Sequence, residues 1–200
     1  MSMSKVLLDL GTHYGQGLRE FIARFGVDET WRVYTFEANP VTFEKFLKEY
    51  AEQTPFVEAC NAAVSDHFGT ITVNLETPPN EDDTGQGSSI IPLENWDPWG
   101  NRSSGTHFHL QREVPCFDFS RFISENFSKD DKIIVKMDIE GSEYDVLEKM
   151  IADGTIEYIN HMSVEWHARF FTNKEETELR EKGLIEKLNS YNGLVLESWR

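Results

Sequence analysis

Residues 5–10, Lys-Val-Leu-Leu-Asp-Leu, form a short, almost wholly apolar run that stops at Gly11. Leu18, Phe21, Ile22 and Phe25 follow at i, i+3, i+4 and i+7 before Gly26. A run of that length suits a strand covered on both faces, and the second spacing lays one apolar stripe along a helix. This strand, glycine loop and helix constrain the chain more than any other feature. A strand covered on both faces needs neighbours at its edges and helices above and below.

The alternation continues. Residues 31–36 read as a second strand, and Asn39 before Pro40 caps a helix carrying Phe43, Phe46, Leu47 and Tyr50. A third strand is expected over 56–59, with 62–64 just beyond. Ile71, Val73 and Leu75 alternate with Thr70, Thr72 and Asn74, as in a half-exposed antiparallel strand. Asp118 caps a short helix through Phe122 and Ile123, and residues 132–137 make the strongest strand of the chain. Tyr144, Leu147, Met150 and Ile151 share one face of a helix ended by Gly154. A strand over 159–164, a helix opened by a capping box of Asn173 and Glu176, and a last strand over 193–199 complete the order. The pattern predicts an α/β, Rossmann-like fold with a mostly parallel central sheet and helices on both faces. At 200 residues it is expected to form a single domain, residues 1–200.

Residues 74–107 break the rhythm with four prolines, four glycines and the acidic run Glu81-Asp82-Asp83. A loop this long inside a compact domain is usually functional or a mobile spacer. Trp96 and Trp99 favour a lid-like insertion facing the substrate, or else they anchor the loop on the core.

The net charge is −16 and neither half of the chain is basic. Such a field repels phosphate backbones and anionic lipid, so nucleic acid and membrane surfaces are not expected partners. Cys60 and Cys116 have no ligand-like spacing and are expected to be reduced, buried thiols. Residues 6–8 are too short an apolar run for a signal peptide or a span, which points to a soluble, cytoplasmic protein.

Four groups of residues carry candidate chemistry. Asp9 to Gly17 joins the first strand to the first helix, where doubly wound sheets bind nucleotides. Its glycines stand at 11, 15 and 17, so the dinucleotide pattern G-x-G-x-x-G fails, and no G-K-[ST] phosphate loop occurs. Glu37 ends the second strand, placed to accept hydrogen bonds from both hydroxyls of a ribose. An acidic loop plus one such carboxylate suits an adenosyl cofactor without phosphates, and a cationic one better than NAD. The competing reading is that Asp9 and Glu37 only satisfy turn amides. Asp138 and Glu140 follow the strongest strand and emerge at the same sheet edge. Paired carboxylates there can orient a substrate, accept its proton or hold a divalent cation, although Glu140 could simply open the next helix. His167 ends the next strand, as a general base or as a structural hydrogen-bonding group. No spacing among His107, His109, His161 and His167 matches a known ligand pattern, so no metal site is expected.

With those residues in place the chain resembles class I S-adenosylmethionine-dependent methyltransferases over residues 6–167, and within them the FkbM-like family. The resemblance rests on VLLDLGTHYG (6–15), YTFEANP (34–40), NAAVSD (61–66) and IVKMDIEGSEYDVL (134–147). The first two specify fold and cofactor. The last is specific to the family through Asp138, Glu140, Gly141, Glu143, Val146 and Leu147. The resemblance implies a class I methyltransferase domain. In it Asp9, Gly11, Thr12, His13 and Gly15 shape the pocket for the methionine part of S-adenosylmethionine, and Glu37 with Ala38 binds the ribose. Asn61 and Asp66 would lie by the adenine, and Asp138 near the transferred methyl. His13-Tyr14 departs from the Ala-Asn common in the family. Only one strand fits after Asn192, where class I enzymes usually have two.

The reaction these readings imply is methylation of a hydroxyl on a small molecule or sugar, with Asp138 as first candidate base and His167 as second. A divalent metal is compatible with the carboxylates but has no spacing to support it. The rivals are a non-catalytic module that binds an S-adenosyl ligand and a nicotinamide-dependent reductase. Oligomeric state is not legible.

Overall fold

The structure is a computed structural model and describes residues 3–76, 87–96 and 110–199. The central sheet has the order β3-β2-β1-β7-β8-β9. Its strands are β1 (Lys5–Leu10), β2 (Arg32–Phe36), β3 (Val57–Cys60), β7 (Lys132–Met137), β8 (Ile159–Val164) and β9 (Val195–Ser198). Every neighbouring pair in it is parallel. A second sheet sets β4 (Ala63–Ser65) and β5 (Gly69–Leu75) on either side of β6 (Leu110–Asp118). Among the described residues five α-helices connect them: α1 (Gln16–Phe25), α2 (Pro40–Glu49), α3 (Phe119–Asn126), α4 (Glu143–Asp153) and α5 (Lys174–Leu188). Read by position in the sheet, this is the third-second-first-fourth-fifth-sixth order of a doubly wound fold, with helices on both faces as the alternation predicts.

The sheet sorts its side chains by parity. Val6, Leu8 and Leu10 pack with Ile133, Val135 and Met137 against Ile123 of α3, Leu147 of α4 and Leu188 of α5. Leu7 and Ile134 face the other way, onto Leu18 and Phe21 of α1 and Phe46 of α2. Fully burying such side chains contributes roughly 1.5–3 kcal/mol each, which makes β1 and β7 the axis of the fold. The same parity places Asp9, Lys136 and Asp138 on the α1 side, with Asp9 and Lys136 paired in register. β1 and β7 also flank the point where the winding reverses, and open α/β sheets bind ligands outside the carboxyl ends of strands at such a point.

Three expectations change. β6 was not foreseen: residues 110–113 are exposed and Pro115 argues against a strand, yet residues 110–116 pair with β5 and 116–118 with β4, turning Val114, Cys116 and Asp118 inward. Cys60 is exposed, because it ends β3 at the sheet edge, whereas Cys116 is buried. Asn173 does not cap α5. Its side chain instead donates to Glu176 and accepts from Thr177. Among the described residues of the 74–107 segment, Asn74 and Ser89 exchange two backbone hydrogen bonds, and Trp96 bridges to Phe171. The rest of it, with Trp99 and His107, lies outside the described residues, as does His109. β9 adds in parallel to β8, and among the described residues no antiparallel strand follows it. No helix among them is long and apolar enough to cross a membrane.

Candidate active site

Six parallel strands deliver their carboxyl ends to one edge, and a cavity there is lined by Gly11, Glu37, Lys136, Asp138, Glu140 and Glu165, among others. The loop after β1 can cross the loop after β7 only because residue 11 is glycine. Gly11 has φ +76°, and a Cβ there would sit 1.7 Å from the carbonyl oxygen of Asp138. The amides of Gly11 and Thr12 donate to the carbonyl of Phe36, tying this loop to β2. Glu37 then clamps the two loops: Oε2 accepts from the amide of His13 and Oε1 from the amide of Asn39, both at 2.8 Å. Burial raises the Glu37 carboxyl to about 7 in spite of those two donors. Asn61 supports the loop from behind, its amide donating to the carbonyls of Glu37 and Ala38.

Asp9 does not reach the cavity. It is 1% exposed, and neither carboxylate oxygen receives a hydrogen bond among the described residues. The ammonium of Lys136, 2% exposed, lies 3.3 Å from Asp9 Oδ1 and 3.3 Å from Asp138 Oδ2. It also donates to the carbonyl of Gly11 and lies under the ring of Trp199. Gly17 in α1 leaves room for this packing, since a Cβ there would meet both Lys136 and Trp199. Burial pulls the Lys136 pKa down, but Asp9 and Asp138 outweigh it and raise it. Lys136 is thus a buried cation holding two strand-end carboxylates at the switch point.

The segment after β7 turns sharply. Glu140 has φ +51°, in the left-handed region that few side chains other than glycine adopt, and Gly141 has φ +102°. A Cβ on Gly141 would meet Ile91 and Trp96 at 2.8 Å, so glycine lets the 87–96 segment lie on this turn. Ser89 Oγ donates to the carbonyl of Glu140 from that segment. Glu143, fully buried, reaches back from the first turn of α4 and accepts from the amides of Ile139 and Gly141. Its Oε1 also faces Nδ1 of His167 at 3.0 Å. The Asp-x-Glu-Gly-x-Glu spacing is the covalent requirement for this turn. One glutamate faces the cavity, one glycine gives way to Trp96, and the second glutamate fastens the backbone and the histidine.

His167 is 1% exposed, with its Nε2 3.6 Å from Glu140, 3.7 Å from Asp138 and 3.8 Å from Glu165. Burial would lower its pKa, but Glu143, then Glu140 and Asp138, overcome that and lift it to about 10. Burial raises Glu140 to about 8, with Asp138, Glu143 and Glu165 adding to it against His167.

The chain matches the FkbM methyltransferase domain over residues 9–188, nine-tenths of its length. It belongs to that family. No curated protein matches it. Among solved structures it is similar to the crystal structure of "Methyltransferase FkbM from Methylobacillus flagellatus KT", at 15% identity and a TM-score of 0.42. That likeness covers 75% of this chain and 30% of the other, so the present chain spans under a third of that protein.

The FkbM-family domain gathers Gly11, Thr12, His13, Glu37, Ala38, Asp138 and Glu140 on one cavity. Four residues expected at the cofactor are not among those lining the cavity. Asp9 is sealed behind Lys136. Gly15, at φ +79° with Phe46 against it, is a backbone hinge into α1 rather than a wall. Asn61 is a brace for the Glu37 loop. Asp66 turns outward to pair with His67, and Ala62, Ala63 and Val64 line the cavity instead. His167 is less suited than Asp138 to act as a general base: Glu143, Glu140 and Asp138 raise its pKa to about 10 in the ion-free protein, and its Nδ1 is engaged by Glu143. Lys136, Glu143 and Ser142 were not foreseen as site residues. A lysine inside an apolar run reads as a strand residue, and only the register with Asp9 shows its partner.

Proposed function

We propose that this FkbM-family domain transfers a methyl group from S-adenosylmethionine to a hydroxyl oxygen of a small molecule or sugar. The observation that carries the reading is the composition of the one cavity at the switch point. Glu37 lies on one wall, Asp138, Glu140 and Glu165 on another, and Lys136 is the only lysine or arginine among its described lining residues. That wall suits a cationic, phosphate-free cofactor, whereas a pyrophosphate would meet carboxylates with no phosphate loop to hold it. The fit extends to Glu37, whose oxygens each keep a lone pair beyond the one used by His13 or Asn39 and can accept two ribose hydroxyls.

When bound, S-adenosylmethionine supplies a methyl group on a sulfonium, ready for displacement. Glu37 orients the ribose, and the Gly11 and Thr12 loop presents backbone close to the ligand. Asp138 accepts the proton of the acceptor hydroxyl at Oδ1, its Oδ2 being held toward Lys136. Alcohols are weak nucleophiles, so a base within hydrogen-bond reach is worth roughly 10²–10⁴-fold in rate. Residues 87–96, through Trp96 on His167 and Phe171, cover the acceptor side in this reading.

A thermal-shift panel tests the reading. S-adenosylmethionine and S-adenosylhomocysteine are expected to raise Tm, with about 2.7 kcal/mol of added stability at 100 times Kd. NAD is expected to leave Tm at the buffer value. A shift with NAD alone would point to a nicotinamide reductase. A shift with the S-adenosyl ligands but no methyl transfer to any hydroxylated acceptor would leave a binding module.

The raised Glu37 carboxyl gives a second expectation. Its folded pKa of about 7 exceeds the ordinary 4.5, so it adds stability to the free protein at acid pH that is lost as pH rises through about 7. Ribose hydroxyls favour the ionised form. Cofactor affinity should therefore rise between about pH 6 and about pH 8, with proton release seen as a buffer-dependent enthalpy in calorimetry. Glu37→Gln should weaken binding and flatten this pH slope. A slope of the same size in the variant would assign the proton to another group.

A further inference from the structure

We infer that Asp138, Glu140 and His167 form a divalent-cation site, with Glu165 beside it, whose chemistry suits Mn²⁺ ahead of Mg²⁺. The inference needs only these side chains and stands apart from the methyl-transfer reading. One ligand atom from each of the three residues lies within 4.8 Å of the other two. Three carboxylates surround Nε2 at 3.6–3.8 Å, all beyond the reach of an N–H···O hydrogen bond. Those separations match atoms sharing an ion better than atoms sharing a proton. With bonds of about 2.1–2.3 Å, ligand atoms around an ion sit roughly 3–4.5 Å apart, so closure takes shifts of a few tenths of an ångström.

The surroundings agree. Glu143 holds Nδ1–H, which leaves Nε2 for the cluster, the arrangement that orients metal-binding histidines; an ion there takes the Nε2 lone pair and releases the proton that Nε2 carries in the ion-free protein. Ser142 lines the same cavity at 3% exposure, and its hydroxyl has no hydrogen-bond partner among the described residues. A water on the ion would supply that partner. The basic groups nearby are already engaged, Lys136 with Asp9 and Asp138 Oδ2, and Arg169 with Glu165. Imidazole together with carboxylates is a donor set that Mn²⁺ accepts readily, while Mg²⁺ is reluctant to shed water for it. Where methyl transfer also holds, the ion sits beside Asp138 and can ligate the acceptor hydroxyl, lowering its pKa.

The test is titration of the chelator-stripped full chain with MnCl₂, following free Mn²⁺ by electron paramagnetic resonance and Tm in parallel. One saturable ion per chain and a rise in Tm are expected, with a smaller rise for MgCl₂. Glu140→Gln and His167→Gln should each weaken Mn²⁺ by at least about ten-fold, the low end of what lost metal-site contacts cost. His167 is buried and its replacement can disturb folding, so Glu140→Gln, on the cavity wall and with an unchanged far-ultraviolet circular dichroism spectrum, decides the matter. Absence of saturable binding to the wild type overturns the site. Unchanged binding in Glu140→Gln also overturns it and assigns the ion to the acidic surface.

Discussion

Lys136→Met is expected to lower the unfolding free energy by about 3–5 kcal/mol, the usual result of removing one partner from a buried ion cluster. Methionine keeps most of the length and packing of the lysine stem against Gly17 and Trp199, so the measurement isolates the charge. Asp9 then stays at 1% exposure with no hydrogen bond and no cation among the described residues, and Asp138 loses the partner of its Oδ2. Urea unfolding should show the loss at neutral pH and a partial recovery in acid, where Asp9 is neutralised. Burial already raises the Asp9 pKa, opposed by Lys136, and the variant removes that opposition. The double variant Asp9→Asn with Lys136→Met should regain at least half of the loss. A single-variant loss below about 1 kcal/mol would mean that the cluster holds no net charge that needs the lysine.

Lys136 also marks the limit of what the sequence discloses. Within Lys-Ile-Ile-Val-Lys-Met the apolar residues announce a covered strand, and a lysine in the penultimate place looks like a residue reaching for solvent. Its role appears only once β1 and β7 are set side by side and Asp9 falls opposite it. The elements that were legible are those whose period is strong and whose ends carry a cap or glycine. β1, β7 and α1 are such elements, and so is α2 with Asn39 as its cap. β6 was hidden by Pro115 and by four exposed residues, since its pairing with β5 is long-range and leaves no local period.

The site divides in the same way. Glu37, Asp138 and Glu140 could be placed because strand ends in a parallel sheet share an edge. Asp66 could not, because its position depends on how the chain leaves the central sheet after β3 to place β4 in a second one. Glu143 was visible as a motif letter, but its work is a matter of geometry: two amides and one imidazole gathered on a single buried carboxylate. The protonation of His167 was furthest from view. It depends on Glu143, Glu140 and Asp138, which the turn between β7 and α4 brings against a histidine from beyond β8, and no spacing in the chain records that convergence.

Asp138→Asn is expected to cut turnover on the true acceptor by about 10²–10⁴-fold while Kd for S-adenosylhomocysteine stays within a few-fold. The substitution keeps shape and removes the proton acceptor. Fold stability should suffer less than in Lys136→Met, because Lys136 keeps Asp9 as a counter-ion. The split between kcat and cofactor affinity separates this role from a structural one, since a distorted pocket would weaken both. The pH profile separates it further. With His167 held charged to about 10 and Glu140 neutral below about 8, those two groups cannot replace the lost base at neutral pH. The variant's residual rate should therefore climb as pH rises past about 8, where Glu140 ionises beside the cavity. A residual rate that is flat across that range would place the proton with solvent, and full activity at neutral pH would remove Asp138 from the proton path.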